Sequence, residues 1–390
     1  ALSSMFWTLQ LADVAGGPLT TVVEGGGHPI MPAWSRDDRI YFARAGEDGV
    51  FRLWRVDASG GAPREIVPAS WDWGEPTARV TIETRTGAGA VAARVALIDR
   101  DGHPAFAAGH QAWLDGQHGD IFSYSAGAIT FEIPAGRFQV KASRGFEHLP
   151  ASGGGEAAAG APSALALTFD RLASPALDAW YSGDHHFHLN YGGPVLLAPG
   201  ALAAMMQGED LDVGTPLSAN LHTRRIDEHL FGWTRRDLPL IQFGQEIRSH
   251  FLGHTGHIGI TRLFWPWYWG PGYPVYGRDD RPNASALQAT RAQGGVSSYV
   301  HPVTVRDPFG GEAPRGLPLE LVADAVLGDV DTIEVVCLWS DSLGTSDAWY
   351  RVLNIGVPLM PSAGTDVMTD FFRTMAVGTT RLYAHVPGGL

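Results

Sequence analysis

Three histidines and an aspartate stand within five residues of the segment "YSGDHHFHLN" (181–190). In an extended strand, residues two apart share a face, so Asp184, His186 and His188 would point one way with His185 and Phe187 behind them. Two imidazoles on one face can share a metal ion; by itself an H-x-H also fits a hydrogen-bonded or solvated pair. Three more ligand types close apolar runs beside Gly or Pro: Glu246 in "LPLIQFGQE", His301 in "GGVSSYVHP" and Asp366 in "VPLMPSAGTD". Nine of the 15 histidines fall between 185 and 301. The set His186, His188, Glu246, His301 and Asp366 therefore reads as a metal site. The single cysteine, Cys337 in "DTIEVVCLW", excludes a thiolate cage and reads as a buried structural thiol. Imidazoles and carboxylates without thiolates suit a divalent ion, Zn²⁺, Mn²⁺ or Fe²⁺.

Such an ion lowers the pKa of a bound water toward about 7 and polarises a carbonyl or phosphoryl oxygen. The matching chemistry is hydrolysis of esters, carbamates, amides or phosphoesters. A neutral imidazole, His254 or His222, could protonate the leaving group; Asp184 is the third candidate for a catalytic role. His250 and His257 are further ligand or outer candidates, and Asp212 reads as a hydrogen-bond orienter. The segment "RLFWPWYWGPGYP" (262–274) crowds six aromatics into a Gly/Pro-rich loop. Trp265, Trp267, Tyr268 and Trp269 could wall a pocket for a largely uncharged organic substrate, or form a buried structural loop. Arg224, Arg225, Arg235, Arg236 and Arg248 could instead clamp a phosphate or sit on solvated faces. Arg248, two residues past Glu246, is the substrate contact chosen among them.

The elements that must position these groups fall into three stretches. Residues 1–72 contain a repeat: "FWTLQLADVAGGPLTTVV" (6–23) aligns with "FRLWRVDASGGAPREIV" (51–67), a period of 44 residues with "PAWSRDDRIYFAR" between. That period is typical of β-propeller blades. Residues 73–173 hold alternating β-formers, "ARVTIETR", "VAARVALID", "AITFEIP" and "GRFQVKAS", separated by turns, the pattern of an antiparallel β-sandwich. "SGGGEAAAGAPSA" (152–164) reads as a long exposed loop. From 174 to 390, short apolar runs alternate with helix-compatible stretches such as "PGALAAMMQGEDL", "ASALQATRAQGG" and "SDAWYRVLNIG". That alternation implies parallel strands in an α/β barrel or sheet, with chemistry at the strand C-termini.

Composition bounds the rest. A net charge of −13 and a pI near 5.5 speak against nucleic acid as a partner. No run of 18 apolar residues marks a membrane span. A small-molecule substrate is the expected partner, and oligomerisation could cover exposed sheet edges.

The first stretch resembles TolB-like (PD40) propeller blades, with "PAWS" before a strand and "GGAP" after one. The motifs "GDHHFHLNYGG", "GQEIRSHFLGHTGHIGI", "GGVSSYVHP", "DTIEVV" and "SAGTD" resemble those of the PHP (polymerase and histidinol phosphatase) superfamily, and more closely its CehA/McbA-type metallohydrolases. The resemblance implies a distorted (β/α)7 barrel over 174–390, preceded by the β-rich part. It implies His186 and His188 as paired first-strand ligands, Glu246 as a bridging or terminal carboxylate, His301 as the His-Pro ligand and Asp366 as the last-strand ligand. His254 matches the family's Gly-His position best. Two positions depart from the family pattern: Asn220 and His222 replace its Thr-Asp-His motif, and Met368 stands where a histidine is usual. One or two ions are therefore expected rather than three. The resemblance implies an esterase or carbamate hydrolase, with a PHP-type phosphoesterase as the alternative. A non-catalytic glycan- or protein-binding module with a degenerate barrel is the reading from another class. TolB-like segments occur mostly in exported bacterial proteins, so export to the periplasm or beyond is expected, and the composition is equally compatible with the cytoplasm. The incomplete propeller and the short stretch after "SAGTD" suggest a piece of a longer chain.

Overall fold

A computed structural model describes residues 8–24, 29–45, 51–69, 72–116, 118–191, 197–221, 224–249, 252–267, 281–371 and 373–390. The N-terminal stretch is a four-stranded antiparallel meander, Ile30–Trp34, Arg39–Ala45, Phe51–Asp57 and Arg64–Ile66, beside a hairpin of Leu9–Leu11 and Thr20–Val23. Val22 and Val23 of the hairpin pack with Ile40, Phe42 and Val56 of the meander.

The next stretch forms two facing sheets. Strand Thr77–Thr86 alternates strictly, turning Ala78, Val80, Ile82 and Thr84 inward. Its sheet contains Ala128–Pro134, antiparallel to it, and Pro162–Thr168, which runs parallel to it and so departs from the expected all-antiparallel sandwich; the other contains Ala93–Ile98, Trp113–Asp115, Ile121–Ser125, Gly136–Ser143 and Ala151–Ala157. Val80, Ile82, Val95, Leu97, Phe131 and Val140 fill the space between them. The Gly/Ala-rich segment 152–164 is not a loop; most of it lies in two strands, Ala151–Ala157 and Pro162–Thr168. The lack of side chains is what lets it pair: a Cβ at Gly153 would press on Leu165 and Leu167, and one at Gly155 on the Phe138 ring. Arg373–Thr374, far along the chain, adds a parallel edge strand beside Trp113–Asp115.

The C-terminal stretch is built on seven strands: β1 (Trp180–Phe187), β2 (Val213–Leu221), β3 (Gly244–Ile247), β4 (Thr255–Ile258), β5 (Val296–Tyr299), β6 (Thr332–Val336) and β7 (Met360–Ala363). They hydrogen-bond in that order. The segment after β7 then returns to β1, where Asp366 N donates to His186 O at 2.6 Å and His188 N to Val367 O at 2.8 Å. Four helices flank the strands: α1 (Gly200–Gly208), α2 (Ala284–Arg291), α3 (Leu321–Leu327) and α4 (Ser342–Asn354). Asp341 caps α4, accepting from Leu343 N and Gly344 N.

This overturns the expected (β/α)7 barrel. The regular structure is mostly strand, with only four α-helices among the described residues. β3–β4 and β4–β5 pair antiparallel. Residues 248–254 are all that join β3 to β4, fewer than the dozen or so a parallel crossover needs, so the chain turns straight back. The β2–β3 connection also lacks a described α-helix and instead contributes the short strands Arg224–Ile226, Thr234–Arg235 and Leu240–Gln242. No described helix is long and apolar enough to cross a membrane.

Candidate metal centre

The return of the β7 end to β1 brings distant ligand types together. His186 and His188 come from the end of β1, Glu246 from β3, His254 from just before β4, His301 from just after β5 and Asp366 from just after β7. His188 Nε2 lies 3.1 Å from Asp366 Oδ1 and 3.5 Å from Glu246 Oε2. His186 Nε2 lies 3.3 Å from the same Asp366 oxygen. His301 Nε2 is 3.4 Å from Glu246 Oε1 and 3.6 Å from Asp366 Oδ2. His254 Nδ1 is 3.1 Å from Glu246 Oε1 and 3.3 Å from His301 Nε2. Subsets of these donor atoms lie within 4.8 Å of one another and could hold a cation.

The outer nitrogens of the β1 rings are already used. His188 Nδ1 donates to Leu217 O at 2.9 Å, and His186 Nδ1 lies 3.1 Å from Glu334 Oε1. In a neutral ring each Nε2 then presents a lone pair, and it faces carboxylate lone pairs. His186 Nε2 is buried without a hydrogen-bond partner. Only a proton or a cation relieves that arrangement. Burial pushes His186 down, but Asp366, Glu334 and Glu246 outweigh it and raise its pKa to about 10. Burial likewise opposes the charge on His301, whose pKa Glu246 and Asp366 still raise. Burial would raise Glu246, Asp366 and Glu334; the surrounding histidines hold all three below the usual carboxylate range. The donor set thus fits a divalent cation with imidazole and carboxylate ligands.

Two of these residues carry unusual backbone. His301 has φ +32° and Asp366 φ +50°, a region non-glycine residues seldom occupy. Observed outliers of this kind concentrate at functional sites, where surrounding contacts over-determine them.

The five predicted ligands meet, joined by His254, whose Nδ1 lies among the ligand atoms. Burial lowers the His254 pKa to about 4, so near neutral pH its ring is the neutral imidazole, which still carries one N–H; its Nδ1, 3.1 Å from Glu246 Oε1, sits where a ligand atom would. His257 faces elsewhere, between Thr255 Oγ1 at 2.9 Å and Thr290 Oγ1 at 2.7 Å. Asp184 is not in the cluster. Its carboxylate accepts from Thr365 N (3.0 Å), Thr365 Oγ1 (2.6 Å), Gly378 N (2.8 Å) and His186 N (3.2 Å), tying β1 to the chain after β7. Asp212 holds the start of β1 through Ser182 N at 2.8 Å and Oγ at 2.9 Å. His222, His250, Tyr268 and Trp269 lie outside the described residues.

The aromatic wall is corrected in part. Trp267 is fully buried and donates to Glu246 O at 3.3 Å, so it is core beneath the site and not a substrate surface. Trp265 is 52% exposed, under the Arg225 guanidinium. Arg248 does border the cluster: its Nε is 3.8 Å from Glu246 Oε1 and its guanidinium lies over the Tyr191 ring. Asn220 positions it, accepting from Arg248 N at 2.9 Å.

Three residues at the site were not anticipated there. Glu334 is buried beside His186, a charged residue in the β-branched run "DTIEVV"; that mismatch of charge and apolar context was the available signal. Cys337 is indeed buried, and burial pushes its thiol up, yet it lies with His186 and Glu334 close enough to join a ligand group. Trp339, 55% exposed, donates to Asp366 O at 3.1 Å. A separate cleft of about 400 Å³, lined by Ala92, Arg144, Met206, Asp210 and Pro239 among others, includes none of the cluster residues.

No protein-family model and no curated protein matches the chain. Among solved structures, PsfC from Pseudomonas syringae PB-5123 is similar over 54% of this chain and 84% of its own, at 16% identity and a TM-score of 0.36. The Bacillus anthracis TIE protein is similar over 40% of this chain and 28% of its own, at 11% identity and a TM-score of 0.19. A streptococcal ancillary pilin is similar over 40% and 50%, at 10% identity and a TM-score of 0.18. Likenesses this loose bear on neither the fold nor the activity of this chain.

Proposed function

We propose that the chain is a metal-dependent hydrolase that cleaves an ester or carbamate bond of a small organic substrate. One or two divalent ions, Zn²⁺, Mn²⁺ or Fe²⁺, would be held by His186, His188, Glu246, His254, His301 and Asp366. The observation that carries this reading is the convergence of imidazole nitrogens on buried carboxylate oxygens from five parts of the chain, at 3.1 to 3.6 Å. A divalent ion bound there supplies an acidified water and polarises the scissile carbonyl. The chain's own part is to hold the ligands. Leu217 O and Glu334 fix the outward nitrogens of His188 and His186, which turns both Nε2 atoms inward. Glu246 and Asp366 supply the negative charge that a cation needs. Trp339 offers apolar surface beside the cluster. The motif resemblance to CehA/McbA-type enzymes supports the same class.

A phosphoester is the second reading, and Arg248 favours it: a guanidinium beside the ligand cluster suits a phosphate. Metal analysis and a substrate panel test both. Near-stoichiometric metal is expected, with turnover lost to a chelator and restored by Zn²⁺ or Mn²⁺. Aryl ester or carbamate turnover above aryl phosphate supports the first reading; the opposite order supports the second. Protein that takes up neither metal, or turnover that survives chelation, defeats both.

A further inference from the structure

The metal centre depends on ligands being held in one orientation, and one buried residue outside the ligand set touches two of them. Glu334 Oε1 lies 3.1 Å from His186 Nδ1, and Glu334 Oε2 accepts from His301 N at 2.6 Å. We infer that Glu334 is a positioning residue that orients two metal ligands from different strands with a single carboxylate. This rests on the metal-dependent reading above.

The geometry favours positioning over direct ligation. With Nδ1 donating to Glu334, the His186 Nε2 points at Asp366 and the cluster. The second contact acts on the main chain: it engages the N–H of the residue whose φ is +32° and so holds the His301 ring toward Glu246 and Asp366. The His185 ring, buried with neither nitrogen hydrogen-bonded, borders the same carboxylate, its Nε2 3.7 Å from Glu334 Oε1. A carboxylate hydrogen-bonded to a ligating imidazole fixes its tautomer and raises its basicity, and losing such a partner typically costs about 10–100-fold in metal affinity. Glutamine at 334 keeps the volume and one acceptor, so it cannot accept from both His186 and His301.

The test uses the full chain stripped of metal, with Zn²⁺ as the probe in competition with a chromophoric chelator. E334Q is expected to bind Zn²⁺ about 10–100-fold more weakly than wild type while its far-UV circular dichroism is unchanged. In the metal-free protein, the downfield His186 Nδ1–H proton resonance is expected to move upfield in E334Q, a signature that a mere packing role would not give. E334D, which keeps the charge but shortens the reach, serves if E334Q does not fold; the same losses are expected of it. A folded variant with Zn²⁺ affinity within about twofold of wild type and an unmoved resonance overturns the inference. If wild type binds no Zn²⁺ while the variant's resonance still shifts, the orienting role stands and the hydrolase reading falls.

Discussion

Replacing Asp184 with alanine tests whether the site is held by the closure between β1 and the chain after β7. The Asp184 side chain is buried and accepts four hydrogen bonds, from Thr365 N and Oγ1, Gly378 N and His186 N. Alanine takes this acceptor from all four buried donors, of which Thr365 Oγ1 keeps a weak alternative in His186 O at 3.4 Å. Bonds to a charged acceptor are worth about 1.5–3 kcal/mol each. Part of that sum is returned because the carboxylate no longer has to be desolvated, and burial is what raises the Asp184 pKa to about 6. Each buried donor left unsatisfied costs about 1–3 kcal/mol, so a net loss of about 3–5 kcal/mol is expected. At about 2–4 °C per kcal/mol for a unit of this size, the melting temperature should drop by about 6–20 °C. Because Thr365 adjoins Asp366, Zn²⁺ affinity should fall with it. Thermal melts followed by tryptophan fluorescence, with Zn²⁺ titration of the folded fraction, read both. A D184A protein that melts within about 2 °C of wild type, with unchanged Zn²⁺ affinity, would refute the closure argument.

Gly364 faces the site so closely that a methyl there would collide with the His186 Cβ and the Glu334 carboxylate. G364A should therefore lose Zn²⁺ affinity even where it still folds; a calorimetric titration identical to wild type would contradict this. Away from the site, burial raises the Asp324 pKa to about 6, beneath the hydroxyl of Tyr299 at 2.6 Å. A folded-state pKa above the unfolded one means that Asp324 stabilises most at low pH. That contribution is lost as pH rises from about 4 to about 6. Urea unfolding at several pH values should show the slope in wild type and a smaller one in D324N; equal slopes would sink the assignment.

Much of this protein was legible from local pattern alone. Period-two alternation located the sandwich strands, and the close spacing of His186 and His188 at the end of β1 brought both rings to one Asp366 oxygen. The apolar runs ahead of Glu246, His301 and Asp366 placed those side chains at or near strand ends, where they meet. What local pattern could not supply was anything set by a partner distant in the chain. The antiparallel turn-back of β3 and β4 overruled the α/β alternation because residues 248–254 are too few for a crossover. The glycines at 153–155 read as a loop until Phe138, Leu165 and Leu167 were seen filling the space a side chain would take. Trp265 and Trp267 are two residues apart and alike in type, yet one is half-exposed and the other is core. Asp184, a catalytic candidate by sequence, stitches strands, whereas Glu334, unremarked in the sequence, touches two ligands. Residue type and spacing determine which atoms can bind a cation. Which of them share a site, and which merely support it, is decided by burial and by contacts across more than a hundred residues of chain.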